Sequence, residues 1–529
     1  MTRAQGLATL LLAFLILGGL TAPSRAQVTP FSQALTEASA RDDAIAGFYR
    51  DNGYATLWTG AADAERRAAF LSALATAGDH GLPVQRYDAG ALMAAFHAAR
   101  TEGDRGRLEV AMSRAYLDYA RDLQTGVLVP AKVDAGIVRE VPLRDRRANL
   151  DAIAAGTPSA VLKALAPKAP EYARLMKAKL TLERLPATGG WGAPVSAESL
   201  KPGQTGAGVV QLRDRLIAMG YLGRSATMTY DASLQKAVQD FQIDHGLESD
   251  GVASPATLAE INIEPEARLR SVVVAMERER WMNIDRGRRH IWVNLTDFST
   301  KIIDNGKVTF TTRSVIGKDV PDQRSPEFSD QMAYMVVNPS WSVPRSITTK
   351  EYLPLMQRIP GAAGHLQIID RAGRVVPRGA VNFGAYTART FPYAMRQPPS
   401  DGNALGLVKF MFPNKYNIYL HDTPSKSLFA RDVRAFSHGC IRLGDPFDFA
   451  YALLAKQTDD PQGEFKRHLD AGREVNLKLV EPVPVHLVYF TAWTTAKGRM
   501  NYRRDVYGRD GRIFEALQQA GVVLRGVQG

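Results

Sequence analysis

The sequence of 529 residues contains one cysteine, Cys440. An intramolecular disulfide is therefore excluded, as is any zinc or iron–sulfur site that needs several cysteines. Long apolar runs are also missing after the first twenty-odd residues, which excludes a multi-span membrane protein. Charged residues make up 23% and hydrophobic residues 45%. That balance belongs to a soluble globular protein, neither disordered throughout nor collagen-like. At roughly 150 residues per domain the length implies three or four units, large enough to bury cores without help from disulfides or metals.

The N-terminus reads as a secretory signal peptide over residues 1–26. Arg3 supplies a positive start, Gly6 to Leu20 is apolar, and Ser24-Arg25-Ala26 is a small-x-small cleavage site. The alternative is an uncleaved anchor, but the run falls short of the ~20 residues that span a bilayer, and Pro23 follows closely. No cysteine follows it, which excludes a lipoprotein, and no transmembrane span is expected after cleavage. In an exported chain a lone thiol needs a reason. The formal net charge is +12, or +10 once Arg3 and Arg25 are removed. A basic exported protein points to anionic partners such as wall polymers or a membrane surface. Nucleic acid is not expected in that compartment, and the basic residues are scattered, as on a merely soluble surface.

Residues 31–185 are rich in Ala and Leu at helical spacing, as in Arg114 to Leu128, where Tyr116, Leu117, Ala120 and Leu123 recur. No polar residues converge there, so a helical scaffold is expected. Residues 187–208 mix Gly, Pro and Ser and read as a linker. Residues 209–263 carry three short helices. Val209, Leu212, Leu216 and Met219 share a face that ends at Gly220. Asp231 N-caps a second helix with Leu234, Val238 and Phe241, and Gly246 lies just past its end. Ser254-Pro255 opens a third. His245 is expected to cap or pack. The pattern VVQLRDRLIAMGYL, YDASLQKAVQDFQIDHGLESDG and ATLAEIN resembles the peptidoglycan-binding-like domain of bacterial wall enzymes, which implies wall targeting or a structural role.

Beyond Asn262 the pattern turns to strands. IWVNLTDFSTKII and KVTFTT alternate around Asn305-Gly306, the strongest short-range hairpin signal. Further strands are predicted at Tyr334–Asn338, Asn417–His421 and His486–Trp493. Residues 347–391 look irregular, with a helical piece at Lys350–Arg358, and are expected to be an insertion capping a site on the sheet.

Cys440 lies in Phe436-Ser437-His438-Gly439-Cys440-Ile441-Arg442, downstream of Tyr419-Leu420-His421-Asp422-Thr423. A free thiol has a pKa of about 8.5, so at neutral pH it needs a base to become a nucleophile. An imidazole can take the proton, and a third group must orient the ring. His421 is the expected base, with the carbonyl or carboxylate of Asp422 as orienter and His438 in support. Gly439 allows a tight turn that presents N–H groups to a developing oxyanion. Alternation along a strand puts Tyr419 and His421 on one face, with Ile418 and Leu420 toward the core. Two other readings remain open at this point: a buried small hydrophobe at Cys440, and a zinc site from His421, His438 and Cys440.

His421, then fifteen intervening residues, then Ser437-His438-Gly439-Cys440 resemble the signature of the L,D-transpeptidase (YkuD-domain) family. The stretch from Asn403 to Leu443, with Val336 to Ser346 and Pro482 to Trp493, resembles its long, multidomain YcbB-type branch. The resemblance covers most of residues 265–517. It implies a multidomain α+β protein: helical scaffold, small three-helix peptidoglycan-binding-like bundle, and a β-sandwich-like catalytic domain with the inserted cap. It further implies a periplasmic enzyme in which Cys440 attacks the carbonyl of the third residue of a tetrapeptide stem and D-Ala leaves. An amine of a second stem then resolves the thioester as a 3→3 cross-link. No metal, nucleotide or other cofactor is implied, and carbapenems are expected to acylate Cys440. Trp341, Tyr419, Ser437 and Arg442 are expected to border the substrate. Arg442 stands where the family often has Asn. The expected partners are peptidoglycan stem peptides, together with wall-synthesis proteins. The same nucleophile would also serve an L,D-carboxypeptidase or amidase, or an enzyme anchoring a protein lysine. A non-catalytic wall-binding protein and a redox-sensing thiol are alternatives of other classes.

Overall fold

In the computed structural model, residues 28–525 are described, so the predicted signal peptide lies outside them. Strand β1 (Arg289–Asn294) leads into β2 (Ser299–Asp304), and the Asn305–Gly306 turn joins β2 to β3 (Lys307–Gly317). Both turn residues have positive φ, 51° and 78°, which is why Asn and Gly occupy them. Strand β4 (Phe328–Val337) follows. Four short strands come next: β5 (Trp341–Ser342), β6 (Gln367–Ile369), β7 (Val375–Val376) and β8 (Ala394–Gln397). The chain then forms β9 (Val408–Met411), β10 (Leu420–His421), β11 (Ala435–Ser437), β12 (Ile441–Leu443) and the long β13 (Val475–Val488). It ends with the pair β14 (Ala492–Thr494) and β15 (Met500–Tyr502).

The principal sheet has the order β11-β3-β12-β10-β9-β4-β13-β1-β2, and β2 also pairs with β3, so the expected sandwich-like sheet closes on itself. Met335, Phe410, Leu420 and Ile441 lie side by side across four strands and turn into one apolar core with Phe449 and Leu453. Their sequence neighbours turn to the opposite face.

The strands β5 to β8 form a separate sheet of order β5-β8-β6-β7. They enclose a core of their own, including Trp341, Leu353, Met356, Ile368, Phe383 and Met395. The insertion is therefore wider than 347–391: its sheet begins at Trp341 and ends at Gln397. The flanking strands are two and four residues long, too short to stand out by alternation.

The scaffold does not end at residue 185. Helix Pro265–Trp281, β14, β15 and helix Arg509–Gln519 share its core, through Val272, Met276, Trp281, Ala492, Tyr502, Ile513 and Leu517. The run Glu277-Arg278-Glu279-Arg280 is fully buried, a pattern that reads from sequence as a solvated face. Its charges are paired inside. Arg278 bonds Asp510 at 2.7 Å and Glu327 at 2.5 Å, and Arg280 bonds Glu277 at 2.7 Å. Pairing of this kind offsets the cost of taking the charges out of water.

The three-helix bundle comprises Ala207–Ala218, Ala232–Asp244 and Pro255–Ile261. Asp231 accepts from Leu234 N at 2.8 Å, and Ser254 from Thr257 N at 3.3 Å, as N-caps do. Val195 and Leu200 join the bundle core, so the second half of the linker belongs to it. His245 stacks on Phe241 with ring centroids 3.8 Å apart and lies 3.0 Å from Glu260, a packing residue. Among the described residues no helix is long and apolar enough to cross a membrane.

Candidate active site

Strands β9, β10 and β12 are neighbours, and their register sets the site. Lys409 pairs with His421, and His421 pairs with Arg442. These three side chains therefore share the face opposite the core. Ile441 N donates to Tyr419 O at 3.1 Å, which places Tyr419 and Cys440 one step back along the same face. Cys440 and His421 are thus on one side of the sheet. Tyr419 stands beside His421 edge to face, with ring centroids 5.7 Å apart.

The predicted strand over 417–421 shortens to Leu420–His421. Asn417 has φ +55°, incompatible with a strand. The Asn414 side chain holds the preceding turn, accepting from Tyr416 N and Ile418 N at 3.0 and 3.2 Å and donating to Ile418 O at 2.7 Å. The turn leaves Asn417 O facing the sulfur: the Cys440 thiol donates to it at 3.5 Å. Among the described residues no hydrogen bond joins the thiol to His421.

His421 is 4% exposed. Its Nδ1 donates to the Asp422 carbonyl at 2.5 Å. A carbonyl only accepts, so the proton sits on Nδ1 and Nε2 is the basic nitrogen. The Asp422 carboxylate is occupied elsewhere, accepting from Thr423 N (2.7 Å), Leu407 N (2.9 Å) and Lys426 Nζ (2.7 Å). Of the two orienting groups expected from sequence, the backbone one makes the contact.

Burial, then the neighbouring Arg442 charge and more weakly Lys409, push His421 down to about 3, against the Asp422 and Leu405 carbonyls. Burial pushes the Cys440 thiol up to about 11, and the Tyr419 N–H and hydroxyl and the Arg442 charge only partly offset it. Cys440 is half-buried. The resting pair is therefore a neutral thiol and a neutral imidazole rather than a thiolate–imidazolium pair.

The turn before the nucleophile is held from within. Ser437, 2% exposed, donates from Oγ to Cys440 O at 2.5 Å and accepts from Gly439 N at 3.1 Å. Ser437 therefore does not border the cleft, and the Gly439 N–H is already used. The Cys440 N–H has no partner among the described residues and is the donor available to an oxyanion. Gly439 has φ +111°, and a Cβ there would lie 3.1 Å from Ile418 Cδ1. Ser325, which sequence reasoning missed, donates to Gly439 O at 2.6 Å and accepts from Gly317 N at 3.0 Å. A lone Ser carries no sequence signal for such a role.

His438 turns away from the sulfur. Its Nε2 lies 2.6 Å from Glu351 Oε1 on the cap. His421, His438 and Cys440 are not gathered as a ligand set, and no cluster of three or more His, Cys, Asp or Glu side chains suited to a metal occurs among the described residues. Trp341 is 9% exposed and packs in the cap core, edge to face with Tyr352, rather than lining the cleft. Arg442 and Lys409, the latter also missed from sequence, are half-buried beside His421.

Comparison with known proteins matches residues 43–178 to a "Scaffold domain", residues 205–261 to a "Putative peptidoglycan binding domain" and residues 288–461 to an "L,D-transpeptidase catalytic domain". A Haemophilus influenzae protein named "Putative L,D-transpeptidase" is 30% identical over 242 residues, 45% of this chain and 48% of that protein. The chain thus spans about half the length of that curated relative. Among solved structures, an L,D-transpeptidase from Xylanimonas cellulosilytica is 14% identical, covering 56% of this chain and all of that one, with a TM-score of 0.17. A fused Zn-dependent amidase/peptidase with a peptidoglycan-binding domain from Clostridium acetobutylicum is 13% identical, covering 55% and 99%, with a TM-score of 0.15. Residues 288–461, with Cys440 and His421 on one face of their sheet, are thus a YkuD-family L,D-transpeptidase catalytic domain, joined in this chain to a scaffold domain and a peptidoglycan-binding domain.

Proposed function

We propose that the chain is a periplasmic peptidoglycan L,D-transpeptidase of the long, multidomain type, forming 3→3 cross-links through a thioester on Cys440. The observation that carries this reading is the placement of the sole thiol on the same sheet face as an imidazole whose Nδ1 is fixed by a backbone carbonyl.

Nε2 of His421 takes the thiol proton as Sγ attacks the carbonyl of the third stem residue. The Cys440 N–H faces the developing oxyanion, a contribution of roughly 2.7–4 kcal/mol for one such donor. As the tetrahedral adduct collapses, the C–N bond breaks and the leaving D-Ala amine receives that proton from His421. An amine of a second stem attacks the thioester and returns the sulfur to its thiol. Because both groups are neutral at rest, the proton moves during attack instead of beforehand, and Arg442 stabilises the negative charge that then forms.

Incubating the protein with tetrapeptide-rich sacculi and analysing muropeptides by mass spectrometry tests this. Cross-linked 3→3 dimers are expected, and none with Cys440→Ala. Release of D-Ala with only tripeptides would assign water as acceptor and make the protein a carboxypeptidase. Absence of any acyl-enzyme on the wild type would reject a catalytic role.

A further inference from the structure

Lys409, His421 and Arg442 lie in one row across β9, β10 and β12, with the imidazole in the middle. The row ends in Val336 on β4 and Val315 on β3, both aliphatic and buried. Neither cation has an ion-pair partner among the described residues, although most of the chain's half-buried arginines have one or bond several carbonyls. Arg442 Nε is buried without a hydrogen bond. The acid nearest in influence to Lys409 is Glu474, whose carboxylate already accepts from Ser340 N at 2.5 Å. Burial lowers the affinity of both cations for their protons, and the Glu474 charge at Lys409 and the thiol at Arg442 only partly offset it. Two unpaired cations a strand spacing, about 4.8 Å, to either side of one imidazole make a receptor for an anion.

The reaction indicates which anion. His421 must hold the amine nitrogen that leaves. In a C-terminal amino acid that nitrogen is one carbon from a carboxylate, whose oxygens lie within about 4 Å of it by bond geometry. In an internal residue a neutral amide occupies the same place and would leave both cations unpaired. We propose that Lys409 and Arg442 clamp the α-carboxylate of the leaving C-terminal amino acid and thereby confine cleavage to the last residue of the stem. This inference rests on the acyl-transfer reading above and adds its selectivity.

A carboxylate on the side chain of the third residue has the same chemistry, so the test separates the two sources. Acylation of full-length protein by three tetrapeptide donors is measured from amine release: one with free carboxylates, one with a C-terminal carboxamide, and one amidated only on the third side chain. The wild type should lose roughly 10–100-fold in kcat/KM on the C-terminal amide, as expected for a charge-assisted contact. It should lose little on the side-chain amide. Lys409→Met and Arg442→Gln should each lower kcat/KM for the free acid and shrink its advantage over the C-terminal amide. Arg442→Lys should restore part of it, with Tm confirming that each variant is folded. Equal turnover of acid and C-terminal amide by the wild type would overturn the clamp while leaving the transpeptidase reading intact. So would selectivity retained in both variants, or a loss confined to the side-chain amide. No acylation by any donor would overturn both.

Discussion

His438, two residues before the nucleophile, places Nε2 2.6 Å from Glu351 of the cap and makes no hydrogen bond to Cys440. The next residue back in the cap, Lys350, pairs with Asp322 at 2.5 Å, so two adjacent side chains of the turn Thr348–Tyr352 dock the cap onto the loops around the sulfur. The Lys350–Asp322 pair is exposed and the His438–Glu351 pair partly so, and solvent screening leaves each of them weak. Glu351→Gln and His438→Gln are therefore expected to change KM a few-fold and to speed proteolytic cleavage within residues 345–391, with acylation by a small carbapenem nearly unchanged. A loss above about a hundredfold with His438→Gln, a deficit of some 2.7 kcal/mol, would return His438 to the chemistry.

A thiol at about 11 beside an imidazole at about 3 leaves neither charged at neutral pH. Iodoacetamide alkylation of the free protein at Cys440 should accelerate with pH across the whole range from 5 to 10. A reactive plateau between pH 4 and 8 is the mark of a thiolate–imidazolium pair, and finding one would contradict the neutral resting state.

Five histidines, His80, His245, His290, His421 and His486, resist protonation. Burial pushes His80 and His245 down to about 4, and His421 and His486 down to about 3. Between the ordinary value of 6.5 and these values the unfolded chain binds protons that the folded chain does not, so stability is full above about pH 6.5 and falls as pH is lowered. Each group adds a slope of up to about 1.4 kcal/mol per pH unit within its window. Asp510, held up at about 6 by burial, acts in the opposite sense, as do Asp122, Asp244 and Glu279, which burial also raises and whose ordinary values lie well below that of histidine. Calorimetry from pH 7.5 to 4.5 should show Tm dropping steadily. His486→Gln, which can keep the bonds to Ser329 and Arg286 O, should make the drop shallower. A flat profile would show that these imidazoles take up protons while folded.

The features legible in the sequence are those with local causes. Asp231 and Ser254-Pro255 announce helix starts through caps, Asn305-Gly306 announces a hairpin through positive φ, and the histidine–thiol pair follows from chemistry that needs both groups. What the sequence hides depends on contacts between distant segments. Glu277 to Arg280 reads as a surface until Asp510 and Glu327 meet it. Ser325 carries no motif, and its role exists only because Gly439 O lands against it. The site's cations are half-visible: Arg442 adjoins the cysteine, whereas Lys409 reaches it only through the register of β9 against β10. Proximity in sequence assigns His438 to the sulfur, but at a turn with Gly439 at φ +111° successive side chains diverge.

The orientation of His421 depends in turn on Gly406, which is set against Asp422. Gly406 has φ +60°, and a Cβ there would lie 2.2 Å from Asp422 Oδ2, inside any permissible contact. That carboxylate also accepts from Leu407 N at 2.9 Å, so the turn and the aspartate are fitted to one another. In Gly406→Ala the carboxylate must move, and the Asp422 carbonyl, which holds Nδ1 of His421, moves with it. The left-handed conformation alone costs about 1–2 kcal/mol for a residue with a Cβ. A fall in Tm of a few degrees is expected, together with at least a tenfold loss of acylation by stem peptide, while iodoacetamide still labels Cys440. Gly402→Ala is the matched control, since nothing lies within 4 Å of its added methyl and its φ is not in the left-handed region. Acylation retained by Gly406→Ala at the wild-type rate would mean that the Asp422 carbonyl does not set the working orientation of the imidazole.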